Sequence, residues 1–424
     1  MRRGIAATAL VAALAMTASA CGGDDDGQTG AEGGSTELSG TVTFWDTSNE
    51  AEKATYQALA EGFEKEHPKV DVKYVNVPFG EANAKFKNAA GGNSGAPDVM
   101  RTEVAWVADF ASIGYLAPLD GTAALDDESD HLPQAAASTR YEGKTYAVPQ
   151  VIDTLALFYN KELLSKAGVE VPGSVAELKT AAAEITKKTG ATGLYLRGDD
   201  PYWFLPYLYG EGGDLVDEKN KTVTVDDEAG VRAYRVIKDL VDSKAAITDA
   251  SDGWNNMQNA FKSGKVAMMV NGPWAIEDVK AGARFKDAAN LGVAPVPAGS
   301  AAQGSPQGGW NLSVYAGSKN LDASYAFVEY MSSAKVQQQT TEKLSLLPTR
   351  TSVYEVPAVA DNEMVKFFKP AVDKAVERPW IAEGNALFEP IRLQMANVLS
   401  GETSPDKAAA NTGDAYRKLL KDYK

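Results

Sequence analysis

A tryptophan at a strand-to-helix corner is the first residue whose type and place could serve a binding site. Residues 266–280 have the sequence VAMMVNGPWAIEDVK. The apolar run 266–270 predicts a short buried strand, Asn-Gly supplies turn residues, and Pro273 suits the first helical position because its missing N–H is not needed there. Trp274 thus follows the carboxyl end of a strand, where ligands bind in open α/β sheets. Its indole either stacks on a ligand there or is an ordinary core side chain, since large aromatic residues are mostly buried.

Side chains suited to catalysis or to transition-metal binding are few. The chain has two histidines, His67 in EKEHPK and His131 in SDHLPQ, and one cysteine, Cys21. A nucleophilic triad needs a base, but His67 is predicted at a helix end and His131 in a polar loop, so we expect both to be solvated rather than catalytic. With so few nitrogen and sulfur ligands, the sequence predicts no transition-metal site.

An acidic run at residues 125–130, LDDESD, is a candidate for calcium binding. It lacks the glycine and the terminal glutamate of an EF-hand loop, which favours a solvated acidic loop but leaves calcium open. The sequence contains no GxxxxGK[ST] run that could hold a nucleotide phosphate. We therefore predict no metal and no cofactor.

The composition is that of a large, acidic, globular chain. Its 424 residues are 44% hydrophobic, which is enough for a substantial core and for two domains. The formal charge of −15 repels phosphate backbones and gives no attraction to anionic lipid, so we expect no nucleic-acid partner. One cysteine cannot form an internal disulfide, so packing must hold the fold together.

The N-terminus is typical of an exported protein. Arg2 and Arg3 precede an uncharged, Ala-rich segment, and small residues lead to ASAC at 18–21, which predicts a signal peptide over residues 1–20. Cys21 lies at the expected cut and is followed by a polar, flexible tether up to residue 39. This arrangement resembles a bacterial lipoprotein, in which Cys21 carries the lipid that holds the chain at the extracellular face of the cell membrane. The alternative is an ordinary signal-peptidase cut that leaves a free cysteine.

Predicted strands and helices alternate from Thr41 onward. TVTFW and VDVKYVNVP predict strands, and amphipathic helices follow them at residues 51–67 and 80–90, which is the βαβ pattern of a parallel sheet. APDVM predicts a third strand, with a helix within residues 103–116 after it. A hairpin and a long strand then carry the chain out of this first region around Ile152. The later predicted helices lie at 174–189, 201–209, 226–243 and 255–262, and the segment after 350 is largely helical.

This order predicts an α/β fold of two lobes, each a sheet flanked by helices and joined by several hinge strands. A chain that leaves one lobe, builds a second and crosses back creates a cleft between them, which favours a hinge-closing binding protein. The predicted N-terminal lobe comprises 40–151 and 296–349, and the C-terminal lobe comprises 152–295 and 350–424.

Several stretches together resemble the extracellular solute-binding proteins of carbohydrate ABC importers. They are VAMMVNGPWAIED, APDVMRTEVAWVADFASIGYLAPLD, YEGKTYAVPQVIDTLALFYNKELL, GGWNLSVYAGSKN, AFVEYMSSA and LPTR, which occur in family order between about residues 38 and 420. RGDDPYWFLPYLYGEGGDLV resembles the maltose and maltodextrin branch, with the lipid-anchored start of its Gram-positive members. The resemblance implies the two-lobed periplasmic-binding-protein fold of type II, closing on a sugar.

The same resemblance implies which residues line the cleft. Trp274 in NGPW falls on a sugar-stacking aromatic of the family, and Tyr202 in DPYWF on another, with Asp200 at an acidic position. Trp203 is expected in the core, and Asp153 in PQVIDT lies where the family has a carboxylate on the crossover strand. The remaining implied positions are Glu103 and Trp106 after PDVM, Asn49 and Glu50 after the first strand, Trp310 in GGWN, Arg378 in ERPW and Phe388 in NALFEP. Trp310 follows two glycines, which let the backbone approach a ligand closely.

One departure from the family leaves the sugar open. The best-known maltodextrin pattern has a tryptophan near Thr102 and an Asp–Arg pair near Ala105 and Trp106, which this chain lacks. The resemblance implies a monomer that captures maltose or maltooligosaccharides and delivers them to two permease subunits with a cytoplasmic ATPase. It also implies that the lipid on Cys21 is the only attachment to the membrane.

Other functions stay open from the sequence. Trehalose or another oligosaccharide is the alternative ligand. A secreted glycoside hydrolase would need an acid and a nucleophile or base at a fixed separation, and Asp153, Asp200 and Glu103 lie in no such motif. A structural adhesin or a peptide-binding lipoprotein is a further class, which the aromatic set of the predicted cleft disfavours. We therefore predict a binding protein and not an enzyme.

Overall fold

The computed structural model describes residues Glu37–Lys424. The predicted signal peptide, Cys21 and residues 22–36 of the tether lie outside the described residues. Within Glu37–Lys424, no helix combines the length and the apolar character needed to cross a bilayer. Residues Leu38–Lys424 form one compact unit.

The strands are short and mostly buried. They are β1 Gly40–Asp46, β2 Val70–Asn76, β3 Val99–Glu103, β4 Arg140–Tyr141, β5 Lys144–Thr145, β6 Ala147–Thr154, β7 Ala156–Asn160, β8 Thr192–Tyr195, β9 Val216–Asp217, β10 Thr222–Val223, β11 Ala246–Ile247, β12 Val266–Asn271, β13 Leu291–Ala294, β14 Gln307–Val314 and β15 Leu347–Pro348.

The helices cover these strands. They are α1 Lys53–Glu66, α2 Phe79–Gly91, α3 Trp106–Ser112, α4 Pro133–Ala137, α5 Lys161–Ala167, α6 Val175–Thr189, α7 Leu205–Gly210, α8 Glu228–Asp242, α9 Gly253–Lys262, α10 Ile276–Lys280, α11 Leu321–Ser332, α12 Ala334–Leu344, α13 Pro357–Ala360, α14 Glu363–Val372, α15 Phe388–Leu399 and α16 Pro405–Leu419. Single 3-10 turns connect several of them, among them Pro201–Phe204, Pro273–Ala275 and Gly384–Leu387.

The first large sheet has six strands in the order β15-β6-β14-β3-β1-β2. β1 pairs in parallel with both β2 and β3, which confirms the predicted βαβ start. β14 arrives from far along the chain and inserts antiparallel between β3 and β6, so the sheet is mixed rather than parallel throughout. Sequence pattern alone did not give this insertion, because β14 is about two hundred residues from β3 in the sequence.

The second large sheet has five strands in the order β11-β8-β12-β7-β13. β8 runs parallel to β11 and β12, whereas β7 is antiparallel to β12 and β13. The chain changes sheets between Thr154 of β6 and Ala156 of β7, and it returns between Ala294 and Gln307. The predicted lobe boundaries, between residues 151 and 152 and between residues 295 and 296, lie beside these two passages.

The apolar faces of the helices pack against the sheets and form the hydrophobic cores. α1 presents Tyr56, Leu59 and Phe63 to the first sheet, as the predicted amphipathic pattern requires. α6 begins with a capping box in which Ser174 accepts from the Glu177 N–H and the Glu177 side chain bonds back, so two unpaired donors of the first turn are satisfied. The helix then buries one face, and its fixed start orients that face toward the second sheet.

One prediction about the loop at residues 125–131 is wrong. His131 is buried rather than solvated, and its Nδ1 lies 3.0 Å from the Thr349 hydroxyl. Burial lowers the pKa of the imidazole to about 3, and Arg350 acts in the same direction. The neighbouring Asp130 binds Ser352 and Arg350, so this acidic loop is fixed by protein partners. No group of metal-ligating side chains was found among residues 37–424.

Candidate functional site

The predicted corner at Trp274 forms as the sequence indicates. β12 ends at Asn271, and Pro273–Ala275 makes one 3-10 turn before α10. A methyl group on Gly272 would lie 2.1 Å from the indole of Trp274, so only glycine lets the ring fold back over this turn. The half-buried indole packs against the hydrophobic cores of both large sheets, and the Trp274 carbonyl accepts a 3.2 Å hydrogen bond from Asn49. Trp274 therefore lies where the two halves of the molecule meet.

Tyr202 is held beside Trp274 by a capped turn. Asp200 accepts a 3.0 Å hydrogen bond from the Tyr202 N–H and lies 3.2 Å from the Arg197 guanidinium, so this carboxylate fixes the turn. The ring centroids of Tyr202 and Trp274 are 6.5 Å apart. Trp203 is buried and donates from Nε1 to the Val270 carbonyl at 2.6 Å, which confirms its expected place in the core.

Asp153 and the hydroxyl of Tyr202 converge on Gly308. Asp153 lies opposite Gly308 in the β6–β14 ladder, and a methyl group on that glycine would lie 2.2 Å from Asp153 Oδ1 and 2.4 Å from the Tyr202 hydroxyl. The glycine is therefore required so that two polar side chains can approach the strand. The predicted close approach of a ligand to the Gly-Gly pair stays a prediction; within the protein, the side chains of Asp153 and Tyr202 approach Gly308.

Burial dominates the electrostatics of Asp153. Only 3% of the residue is exposed, and desolvation raises the pKa of its carboxyl to about 7. The positive charge of Arg378 opposes this rise, whereas the negative charge of Glu103 adds to it. A carboxyl group in this state is poised to be charged or neutral near neutral pH.

Arg378 connects the site across the chain. Its guanidinium pairs with Glu103, and its Nε donates to the Gln307 carbonyl at 2.9 Å. The guanidinium also lies 5.3 Å from the ring centroid of Tyr202 and 5.7 Å from that of Phe388. The second oxygen of Glu103 accepts from the Ala105 N–H at 2.8 Å. A buried cation thus joins the end of β3 to the aromatic rings of Tyr202 and Phe388.

A second aromatic group lies on the side of the first sheet. Trp106 is buried, stacks on Phe79 with a centroid distance of 5.3 Å, and lies edge-on to Trp310 at 6.3 Å. Its indole N–H donates to Asn385 at 3.2 Å, which lies 279 residues further along the chain. Trp310 is directly opposite Glu103 in the β3–β14 ladder, so both side chains lie on one face of the sheet.

Arg101 was not predicted as a site residue, but it packs against this aromatic group. The fully buried guanidinium lies between the rings of Tyr56 and Trp310, at 4.5 and 4.3 Å from their centroids. It donates to Gln150 at 2.9 Å and lies 3.8 Å from Glu52, whose pKa burial raises to about 7. The available signal was an arginine directly after the apolar pair Val99-Met100 of a predicted strand, since arginine is rarely buried without a partner.

The structure brings most of the predicted site residues together. Glu50 is the exception, because its exposed side chain pairs with Lys53 in solvent at 2.5 Å. Phe388 is the first residue of α15, and its ring lies near the guanidinium of Arg378. The convergent set is Asn49, Glu103, Trp106, Asp153, Asp200, Tyr202, Trp274, Trp310, Arg378 and Phe388.

Comparison with known proteins identifies the family. Residues 47–338, more than half of the chain, match the model of the bacterial extracellular solute-binding proteins. The chain belongs to this family. Its two sheets therefore belong to a two-lobed α/β binding-protein fold, as the sequence resemblance implied.

Individual relatives of this solute-binding protein extend over nearly its whole length. The GacH receptor of Streptomyces glaucescens GLA.O, solved unliganded and in complex with acarbose and an acarbose homolog, is 98% identical, with a TM-score of 0.91 over 92% of this chain and 100% of that chain. The maltotriose-binding protein of Pyrococcus abyssi is 28% identical and covers 87% of this chain and 79% of its own. A maltooligosaccharide ABC transporter solute-binding lipoprotein of Streptococcus pneumoniae R6 is 25% identical, and the match covers 92% of this chain and 91% of the relative.

These relatives are binding proteins rather than enzymes, and the same holds for this solute-binding protein. The carboxylates of the site fit that role. Asp200 caps a turn, Glu103 pairs with Arg378, and Asp153 is buried beside a tyrosine hydroxyl. Such groups act as hydrogen-bond partners for hydroxyls and need perform no bond cleavage.

The buried carboxyl of Asp153 predicts a pH-dependent contribution to stability. Its pKa is about 7 in the folded chain against an ordinary value of 3.8, so between these values the folded state holds a proton that the unfolded state has lost. The stabilising contribution of Asp153 is therefore greatest below pH 4. As the pH rises through 7 this contribution is lost, and the free energy of unfolding falls by up to about 1.4 kcal/mol per pH unit. Asp153→Asn does not titrate, so we expect it to gain stability relative to the wild type over this window.

Urea unfolding of both proteins at pH 5, 6, 7 and 8 measures this difference. Glu50→Gln serves as the control, because the Glu50 side chain is 83% exposed and its replacement should leave the pH profile of the wild type unchanged. Parallel stability profiles for the wild type and Asp153→Asn would show that Asp153 titrates as an ordinary carboxyl group.

Proposed function

We propose that this solute-binding protein captures maltooligosaccharides, and acarbose, in the cleft between its two sheets and delivers them to an ABC importer. The observation that carries the proposal is the meeting of Trp274 and Tyr202 with the charged or ionisable groups of Asp153, Glu103 and Arg378. A pyranose ring has C–H groups on its faces and hydroxyls around its edge. Aromatic rings stack on the C–H faces, and charged hydrogen-bonding groups bind the hydroxyls at the edge.

The relatives support this ligand class. The 98% identical GacH receptor binds acarbose, and the two curated relatives are named for maltotriose and maltooligosaccharides. Trehalose, the alternative ligand from the sequence, finds no counterpart among these names. Each ring stack or charged hydrogen bond contributes roughly 1–3 kcal/mol, so a few of them give micromolar affinity.

We further propose that binding closes the hinge. The N-terminal lobe is then 40–151 and 296–349, and the C-terminal lobe is 152–295 and 350–424. A ligand shifts an open–closed equilibrium only by its difference in affinity for the two states, so it must contact both lobes. The Arg378–Glu103 pair and the Asn49–Trp274 hydrogen bond, each joining one proposed lobe to the other, support this proposal.

The transport partners follow from the same proposal. A monomer in the closed state docks on two permease subunits whose cytoplasmic ATPase drives import, in line with a relative named as part of an ABC transporter. Lipid on Cys21 holds the chain at the extracellular face of the membrane, as in the relative named a lipoprotein. Replacement of Cys21 by alanine should therefore release the protein from cells into the medium.

Calorimetric titration of the purified protein from Leu38 onward tests the ligand class. Maltose, maltotriose, maltotetraose and acarbose are the test ligands, with trehalose and cellobiose as controls. We expect micromolar or tighter binding for members of the first group, weak or no binding for the controls, and no product after long incubation. Binding confined to cellobiose or trehalose would move the ligand to another class, and slow hydrolysis would restore the glycoside-hydrolase alternative.

A further inference from the structure

An unassigned phenylalanine stands at the edge of the site. Phe79 is the first residue of α2, and 49% of its surface is exposed. A single exposed apolar residue is ordinary. Phe79 differs because its ring is fixed by two tryptophans, parallel to Trp106 at 5.3 Å with an interplanar angle of 11° and edge-on to Trp310 at 5.5 Å. An exposed ring that is already ordered presents a binding face without the entropy cost of fixing it.

Phe79, rather than the predicted site residue Trp106, carries the exposed ring on this side of the site. Only 4% of Trp106 is exposed, since Phe79 covers one face of its indole and Asn385 binds its N–H. Of the two stacked rings, only that of Phe79 has a large exposed surface. The tryptophan therefore supports the phenylalanine ring, and the open face belongs to Phe79.

The ring of Phe79 is remote from Trp274 along the contacts of the site. These contacts run from Phe79 to Trp310, from its ladder partner Glu103 to Arg378, and on through Tyr202 to Trp274. An ion pair and two further rings lie between the two ends of this series of contacts, and no direct ring contact joins Phe79 to Trp274 among residues 37–424. A longer chain of linked pyranoses can contact both.

We propose that Phe79 is an outer stacking platform for an additional pyranose of longer maltooligosaccharides. The inference rests on the proposed function, because it assigns one more sugar unit to the same cleft. Phe79 then contributes little to the binding of maltose, which the groups around Trp274 and Asp153 hold, and its contribution grows with chain length. The platform makes the protein prefer longer chains.

Calorimetric titration of the wild type and Phe79→Ala with maltose, maltotriose and maltopentaose tests the platform. We expect Phe79→Ala to weaken maltopentaose binding about fivefold and maltose binding less than twofold, in the range of one aromatic contact. Phe79→Tyr keeps a flat ring and should retain the affinity for maltopentaose. Phe367→Ala is the matched control, since it removes a phenylalanine that is 45% exposed on α14.

The outcomes separate the inference from the function on which it rests. Equal loss of affinity for all three sugars would assign Phe79 to the main site or to the fold and overturn the platform, and so would unchanged affinity for all three. In both cases the wild type still binds sugars and the proposed function stands. A wild type that binds none of the three sugars, nor acarbose, would overturn the function and the platform together.

Discussion

Replacing Trp274 by alanine will weaken the binding of maltotriose at least tenfold, or about 1.4 kcal/mol, without unfolding the protein. The reason is the position of the indole, which is half-buried, packs against the cores of both sheets and lies beside Tyr202. Its loss removes the aromatic face that we propose stacks on the sugar, together with a packing contact to both cores. Calorimetry gives the affinity, and circular dichroism with thermal unfolding shows that the fold is retained.

Trp274→Phe is the control for this substitution. It preserves an aromatic face on the Gly272 turn, so its affinity should lie between those of the wild type and the alanine variant. A folded Trp274→Ala protein with unchanged affinity would make Trp274 a packing residue only, which was the alternative that the corner sequence left open.

Removal of the buried cation at Arg378 will have the largest effect on stability. Arg378→Met keeps much of the side-chain volume but leaves Glu103 unpaired and Asp153 without its nearest positive charge. Breaking a buried ion pair on one side costs about 3–5 kcal/mol, so we expect a loss of about 3 kcal/mol in the free energy of unfolding at pH 8. At pH 5 the loss should be smaller, because Asp153 is then neutral.

A double variant identifies the cause of that loss. Arg378→Met combined with Glu103→Gln removes both charges, and it should recover part of the stability if the unpaired carboxylate is responsible. Urea unfolding of the wild type, both single variants and the double variant completes the cycle. Additive losses at both pH values would show that Arg378 stabilises the protein by packing alone.

Local structure was predictable where neighbouring residues determine it. The VAMMV strand, the Asn-Gly-Pro corner and the Ser-x-x-Glu start of α6 all follow from short-range rules of pattern and capping. Elements whose bounds depend on residues far away in the sequence were harder to predict. The predicted helix within residues 103–116 begins only at Trp106, because Glu103 still pairs with Trp310 in the sheet.

The candidate site divides in the same way. The corner tryptophan was visible in local sequence, and the family resemblance supplied Asp153, Tyr202 and Arg378. Neither the local sequence nor the family resemblance indicated Phe79 or Arg101. Their positions depend on contacts with Trp106, Trp310 and Gln150, which no local pattern encodes. His131 was misjudged for the same reason, because its polar neighbours in sequence turn out to bind Arg350 and Ser352 rather than water.

The central claim is that a maltooligosaccharide lies between the two sheets and contacts residues of both. A crystal structure of the purified protein with maltotetraose tests this most directly. We predict pyranose faces on Trp274 and Tyr202 and sugar hydroxyls within hydrogen-bond distance of Asp153 or Glu103. Sugar density elsewhere on the protein, or contacts with only one of the two sheets, would contradict the account.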